Sequence, residues 1–321
     1  MMITEISILR TLLTITGITL VVGINAVFVV WLERKVAGHM QFRLGPTEVG
    51  PAGLLQTVAD GLKLLSKQII FPSSADTPIF ILAPIICLIP VFVALVPVPF
   101  SETLQAHELD IGLLLVIALG LLNTLGILLA GWGCDNKYAL LGASRAVAQI
   151  LAYKIPLLLC ILPVILLAGT FSLREIVVAQ EGTMWFAFYQ PVAFFMYLIA
   201  ITMETNRSPF DFAEAESELV AGFHTEYSGM MFSLFFLAEY TYMFLASAIA
   251  SILFLGGWLG PILPGPVWML LKIYFFLFLM MWFRWTFPRV RVDQMLAFGW
   301  KILLPVSLLN FLFTAGVMAV L

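Results

Sequence analysis

Charge is what this sequence lacks. Only 11% of its 321 residues are Asp, Glu, Lys or Arg, against about 25% in a soluble domain. A further 62% are hydrophobic and the mean hydropathy is +1.05. These figures exclude an ordinary water-soluble fold and indicate an integral membrane protein. The net charge of −3 comes without any basic stripe interleaved with aromatics, so nucleic acid is not expected as a partner. Cysteine and histidine are as sparse. Cys87, Cys134 and Cys160 form no C-x-x-C, and His39, His107 and His224 are scattered. No zinc, haem or iron–sulfur site can be built on such spacings, and no metal is expected. A phosphate loop and a dinucleotide fingerprint are missing too, since Gly256–Gly257 reads as a helix end. Any redox centre therefore belongs to another chain, and no cofactor is expected on this one alone. The N-terminal apolar run ends without a small-residue cleavage pattern and reads as a retained span.

Long apolar runs are what the sequence does have. Crossing a bilayer takes about 20 such residues. Eight stretches qualify: Ile6–Leu32, Pro78–Val98, Ile111–Trp132, Ala143–Ala168, Met184–Met203, Met230–Leu255, Val267–Trp285 and Met295–Val320. The prolines within them, Pro84, Pro90, Pro156 and Pro163 among others, are tolerable where neighbouring helices cover the backbone. Cations sort by side. The odd-numbered loops and their helix ends carry Arg34, Lys35, Arg43, Lys63, Lys67, Lys137, Arg145, Arg207, Arg284, Arg289, Arg291 and Lys301, while the other side has Arg10, Arg174 and Lys272. The odd loops then face the cytoplasm (the matrix, if the chain is mitochondrial), and both termini face away. From Ala52 to Lys67, Gln56, Asp60, Lys63 and Lys67 recur on one side and Leu54, Leu55, Val58, Leu62 and Leu65 on the other. This pattern predicts an amphipathic helix in the membrane interface, with Pro51 at its start. The expected architecture is an all-α integral membrane protein, a single polytopic domain over 1–321. It has eight transmembrane helices plus an amphipathic interfacial helix and a short acidic-loop helix on the cytoplasmic side.

That acidic loop, Glu204 to Tyr227, reads ETNRSPFDFAEAESELVAGFHTEY. It holds Glu204, Asp211, Glu214, Glu216, Glu218 and Glu226 against the single cation Arg207. The D-x-x-E spacing of Asp211 and Glu214 predicts a helix restarting after Pro209 and running to about Gly222. Asp211, Glu214 and Glu218 would share one of its faces, with Glu216 pointing elsewhere. Phe210, Phe212, Leu219, Val220 and Phe223 are threaded between the acids, so a buried or half-buried cluster is expected. Like charges held together beside low dielectric raise one another's pKa. Other charges sit in or at the ends of spans, where each costs roughly 2.5–3.5 kcal/mol to insert. Glu33 closes the first span, Glu204 ends the fifth, Glu239 lies within the sixth and Lys154 within the fourth. A polar track through the bundle accounts for them, whereas Lys272 and Lys301 are expected to snorkel to the interface.

Several stretches together resemble one family closely. They are ERKVAGHMQFRLGP at 33–46, DGLKLLSKQ at 60–68, GWGCDNKYALLGASRAVAQ at 131–149, ETNRSPFDFAEAESELVAGFHTEYSGM at 204–230, FFLAEY at 235–240 and RWTFPRVRVDQMLAFGWKILLPVSL at 284–308. The chain resembles the H-type membrane subunit (subunit 1 in mitochondria) of respiratory complex I, the proton-pumping NADH:quinone oxidoreductase. The resemblance implies a place at the joint of the peripheral and membrane arms, where the protein encloses the quinone chamber with two peripheral subunits. Quinone is then a substrate, and FMN and iron–sulfur clusters lie on partner subunits. Other complex I subunits, of the peripheral quinone site and of the membrane arm, are the implied partners, together with quinone and the lipid bilayer. The implied location is a bacterial inner membrane, with the termini periplasmic, or the mitochondrial inner membrane.

Carried over residue by residue, the chamber side comprises Arg34, Arg43, Asp60, Arg207, Asp211, Arg284 and Arg289. The proton or coupling track comprises Glu33, Glu204, Glu214, Glu216, Glu218, Glu226 and Glu239. The resemblance leaves no catalytic residue on this chain, because the groups that protonate the headgroup belong to a peripheral subunit. Glu216→Gln and Glu218→Gln are expected to impair quinone reduction and pumping together. One position departs from the family pattern: where S-Y-E-[VI] is usual, this chain reads Ala152-Tyr153-Lys154-Ile155, which puts Lys154 on the track. A neighbouring carboxylate pairing with Lys154, or a Lys154 neutral through burial, would accommodate it, and Lys154→Glu is expected to be tolerated. Two other readings are the homologous anchor of a membrane-bound hydrogenase or formate hydrogenlyase, and a free-standing ion transporter. The second lacks a detectable inverted repeat.

Overall fold

The computed structural model describes residues 2–182, 184–214 and 216–320, and the side chains among these except those of 2–12, 216 and 217; no strand occurs among the described residues. The helices are α1 (Met2–Met40), α2 (Gln56–Ser66), α3 (Thr77–Ala94), α4 (Gly112–Gly133), α5 (Lys137–Ala168), α6 (Leu173–Val178), α7 (Phe186–Tyr189), α8 (Pro191–Glu204), α9 (Glu216–Leu219), α10 (Gly229–Leu255), α11 (Gly265–Thr286), α12 (Val292–Phe298) and α13 (Leu304–Val320). A π turn over Gly299–Leu303 joins α12 to α13, so that Val292–Val320 reads as one span. The chain is an all-α integral membrane protein, and seven of its described helices are long and apolar enough to cross a membrane.

The expected fifth span is the exception. Met184–Met203 is not one helix but α7 and α8 meeting at Gln190, and the 14 residues of α8 are too few to cross alone. Pro191 has no N–H to carry the helix ladder across the joint. Gln190 meets the polar demand left there: its Nε2 donates to Thr314 Oγ1 (2.9 Å) and its Oε1 accepts from Asn310 Nδ2 (3.0 Å), both on α13. The first helix departs the other way. It continues past Leu32 to Met40 without a break, so Glu33 stands inside α1 instead of closing it.

Helix α10 is the axis of the bundle. It is the least hydropathic of the seven spans, at 1.5, and the most enclosed, with 83% of its apolar window buried against 17% for the spans at either end of the chain. The two properties are linked, because polar residues in a bilayer are shielded by neighbouring helices. Small residues from Ala246 to Ser251 let neighbours approach, and Ser247 and Ser251 return their hydroxyls to the carbonyls of Met243 and Ser247. Lys272 does not snorkel. It is buried, and its ammonium donates to the carbonyls of Leu255, Gly257 and Leu259 at 2.6–2.8 Å, with the Trp185 ring 4.8 Å away. A cation on the carbonyls that end α10 satisfies groups no helical N–H can reach.

Candidate functional site

The amphipathic helix α2 forms as expected, slightly shorter than Ala52–Lys67, and its orientation is informative. Leu55, Val58, Leu62 and Leu65 point away from the bundle and stay exposed. Its polar edge turns inward: Gln56 donates to Asp60 Oδ1 (3.2 Å), and Asp60 Oδ2 takes the Arg34 guanidinium at 2.6 Å. Behind that rim lies a cavity of about 280 Å³, whose wall includes Glu33, Arg34, Arg43, Arg207, Glu214, Glu239, Tyr240, Arg284 and Trp285.

Glu33 is the anchor of this wall. From inside α1 it accepts from Arg207 Nη1 at 3.2 Å, from Tyr240 OH at 2.8 Å and from Arg284 Nη1. Arg207, delivered by the turn after α8, bridges two carboxylates. Its Nη2 lies 2.9 Å from Glu239 Oε1, near enough for an ion pair though not aligned as a hydrogen bond, and its guanidinium sits 4.6 Å from the Tyr240 ring centre. Burial works against the Arg207 charge, but Glu239 and Glu33 outweigh it and hold its pKa well above the ordinary value.

Glu214 and Glu239 also line a second, smaller cavity of about 30 Å³, together with Glu204, Asn206 and Tyr242. That volume has room for roughly one or two waters. Beyond it, Glu204 takes two donors, the Lys154 ammonium and the Tyr242 hydroxyl. Lys154 comes from mid-α5 and is as buried as its partner, each side chain being 9% exposed. The opposite wall is Gly120 of α4. A Cβ there would stand 2.5 Å from Tyr242 OH, 3.2 Å from Lys154 Nζ and 3.3 Å from Glu204 Oε1, so the pair occupies space that only glycine leaves open. Gln149 of α5 donates to the Met203 carbonyl at 2.7 Å and sets the height of Glu204 against Lys154.

The pattern of the NADH dehydrogenase family matches residues 13–315 of this chain. The H subunit of NADH-quinone oxidoreductase from Anoxybacillus flavithermus is 51% identical over 305 residues, covering 93% of this chain and 91% of its own length. The protein of that name from Geobacillus kaustophilus is 53% identical over 293 residues, covering 89% and 87%. A third, from Bacillus mycoides, is 51% identical over 289 residues, covering 88% and 86%. This chain belongs to the H-subunit family of NADH-quinone oxidoreductase. It is thus a membrane component of an oxidoreductase complex, as the sequence resemblance implied.

Of the residues carried over from that family, the structure brings some together and separates others. Glu33, Arg207, Glu239, Glu214 and Arg284 share one cavity wall, with Arg34 and Arg43 at its edge and Asp60 behind Arg34. Asp211 stands apart, 3.4 Å from Arg289. Glu218 is turned outward, 54% exposed, against Arg145. Glu226 accepts from Asn136 Nδ2 at 2.7 Å, at the N-terminus of α5. The side chain of Glu216 lies outside the described residues.

The helix expected over Asp211–Gly222 is reduced to the single turn α9, so Asp211, Glu214 and Glu218 do not share a face. The loop instead folds back on itself. Gly222 adopts φ +61° and presses so close to Ala213 that any Cβ would collide with its carbonyl oxygen, while Phe212, Leu219 and Phe223 are buried beneath. Tyr227 closes the loop, stacked 4.0 Å from Phe80 and donating to the Phe80 carbonyl. Cys134 packs below with its thiol toward the Phe223 carbonyl, and burial, then the Glu226 charge, push its pKa up to about 12. Sequence reasoning missed Tyr240, Tyr242 and Gly120. Tyr240 follows Glu239 directly, which was the one available hint; nothing local marks the other two.

Proposed function

We propose that this protein, with peripheral subunits of the oxidoreductase, encloses the chamber in which quinone is reduced, and that its buried charges couple that reduction to proton movement in the membrane. It is a multi-pass protein of the bacterial inner membrane and acts beside the other subunits of its complex. With α7 and α8 counted as one broken crossing, the cation-rich loops lie in the cytoplasm and both termini are periplasmic. The apolar stripe of α2 rests in the cytoplasmic leaflet, and its inward edge, with Arg34 and Asp60, borders the chamber's mouth. The relatives' names favour this branch over a hydrogenase anchor.

The observation that carries the reading is Arg207 held between Glu33 and Glu239 on a cavity wall that continues, through a water-sized space, to Glu204 and Lys154. Reducing a quinone to quinol consumes two electrons and two protons. Electrons come from centres on partner subunits, and the headgroup protons from groups outside this chain. As negative charge develops on the ring, Arg207 and Arg284 are drawn toward it. Glu239 then loses part of its counter-charge and takes up a proton through the small cavity from the Glu204 side. The carboxylates titrate as a set.

The test is Glu239→Gln in the assembled complex. The expected result is a loss, on the order of tenfold or more, of both quinone reductase and proton pumping, while NADH oxidation by an artificial acceptor at the flavin persists. Coupled turnover near wild type in that variant would overturn the reading.

A further inference from the structure

The chain has three histidines. His39 and His107 are exposed, whereas His224 lines the small cavity shared by Glu204, Glu214, Glu239 and Tyr242. It ends the turn Gly222–His224, in the loop that folds back on Ala213. Two hydrogen bonds pin the backbone there. Thr225 Oγ1 donates to the Gly222 carbonyl at 2.6 Å, and the Tyr227 N–H donates to the His224 carbonyl at 3.1 Å. Two phenyls hold the ring in T-shaped contacts, Phe223 at 4.9 Å and Phe232 of α10 at 5.3 Å between centres. Its Nδ1 lies 3.7 Å from Glu214 Oε1, within ion-pair range and just beyond a direct hydrogen bond. The two side chains are 11% and 25% exposed, so neither is sealed from solvent.

We propose that His224 is a proton-relay residue that carries protons from the cytoplasmic side to Glu214 and so into the small cavity. The inference rests on the coupling function proposed above and adds the point at which its protons enter. Packing alone does not ask for an imidazole here. A phenyl would fill the space between Phe223 and Phe232 and would offer Glu214 no nitrogen. An imidazole ordinarily changes charge between about pH 5 and 8, and the charged groups that line its cavity are the carboxylates Glu204, Glu214 and Glu239. The step balances: the imidazolium gives up its Nδ1 proton as Glu214 gains one, and the neutral ring recovers a proton from hydronium of the cytoplasmic solution. Glu214 lines both cavities. A proton placed on it stands beside Glu239 and replaces the one that Glu239 draws from the Glu204 side.

The experiment measures quinone reductase and proton pumping of the assembled complex in membrane vesicles, from about pH 6 to about pH 8, in His224→Phe and His224→Gln. The first variant keeps the aromatic packing; the second keeps a polar side chain beside Glu214. Without the relay, Glu214 is protonated by hydronium directly, and hydronium becomes scarcer as pH rises. Both variants should therefore stay near wild type at the acid end and fall about tenfold or more at the alkaline end. Imidazole added to the buffer should restore part of the loss, while NADH oxidation by an artificial acceptor stays unchanged. Wild-type pH profiles in both variants overturn the relay. So does a loss that is equal at every pH and indifferent to imidazole, or the failure of both variants to assemble, since each makes the ring's role structural. Any of these results beside the loss expected of Glu239→Gln leaves the proposed function standing. Coupled turnover near wild type in Glu239→Gln sinks both.

Discussion

The two ends of the buried charge line are built differently. At the outer end Glu33 has three donors, Arg207, Arg284 and Tyr240; at the inner end Glu204 has one cation, Lys154, and Tyr242. Both carboxylates are equally sheltered, at 8% and 9% side-chain exposure. Each takes a tyrosine from α10, and those tyrosines are two positions apart, about 200° around the helix. Helix α10 therefore stands between the two ends and itself carries Glu239. The difference teaches where the line can yield. A carboxylate held by two arginines keeps a cationic partner when one moves, whereas a carboxylate held by one lysine does not.

The largest effect expected follows from removing the shared cation. Arg207→Ala removes one of the donors to Glu33 and the cation paired with Glu239, a cost of about 3–5 kcal/mol, and native gels should show little assembled complex. Lys154→Met strips Glu204 of the cation it pairs with, with a cost toward the low end of the same range; Lys154→Glu is milder, since two adjacent carboxyls can share one proton. Quinone reductase in Lys154→Glu membranes should therefore exceed that in Lys154→Met, and the reverse order would break the comparison. Gly120→Ala forces a methyl within 2.5 Å of Tyr242 OH, an overpacking of about 1–3 kcal/mol that thermal inactivation of the detergent-solubilised complex would register. Arg284→Gln is smaller again, about 1 kcal/mol, because Glu33 retains Arg207 and Tyr240. Glu218→Gln comes last: its partner Arg145 is a surface contact, worth at most about 1 kcal/mol. Pumping near wild type in Glu218→Gln would confirm that this residue lies off the line, contrary to the expectation drawn from the sequence.

Much of this was legible in the residues. Charges that are costly in a bilayer announce themselves, and Glu33, Arg207, Glu239, Glu204 and Lys154 all stand out from the sequence without knowledge of their contacts. The partner that Lys154 required is Glu204. Less legible was anything governed by long-range packing. A D-x-x-E spacing predicts a helix from Asp211, but the chain there is ruled by Gly222 pressed on Ala213 and by buried Phe212, Leu219 and Phe223. Lys272 looked like a snorkelling cation because its carbonyl partners, Leu255, Gly257 and Leu259, belong to the end of another helix and the turn that follows it.

The sequence by itself determined that the chain lives in a membrane, roughly where it crosses, which family it belongs to and which charges are costly to bury there. Those follow from local hydrophobic length, from the high cost of burying an unpaired charge, and from motifs read in order. Tertiary structure alone decided which charge meets which, because Glu33, Arg207, Tyr240 and Arg284 come from four separate segments. It also decided that the fifth crossing breaks at Gln190 and that Gly120 leaves room for Lys154. The reason is the same in each case: an ion pair or a close backbone approach is a relation between distant segments, and no local pattern encodes its geometry.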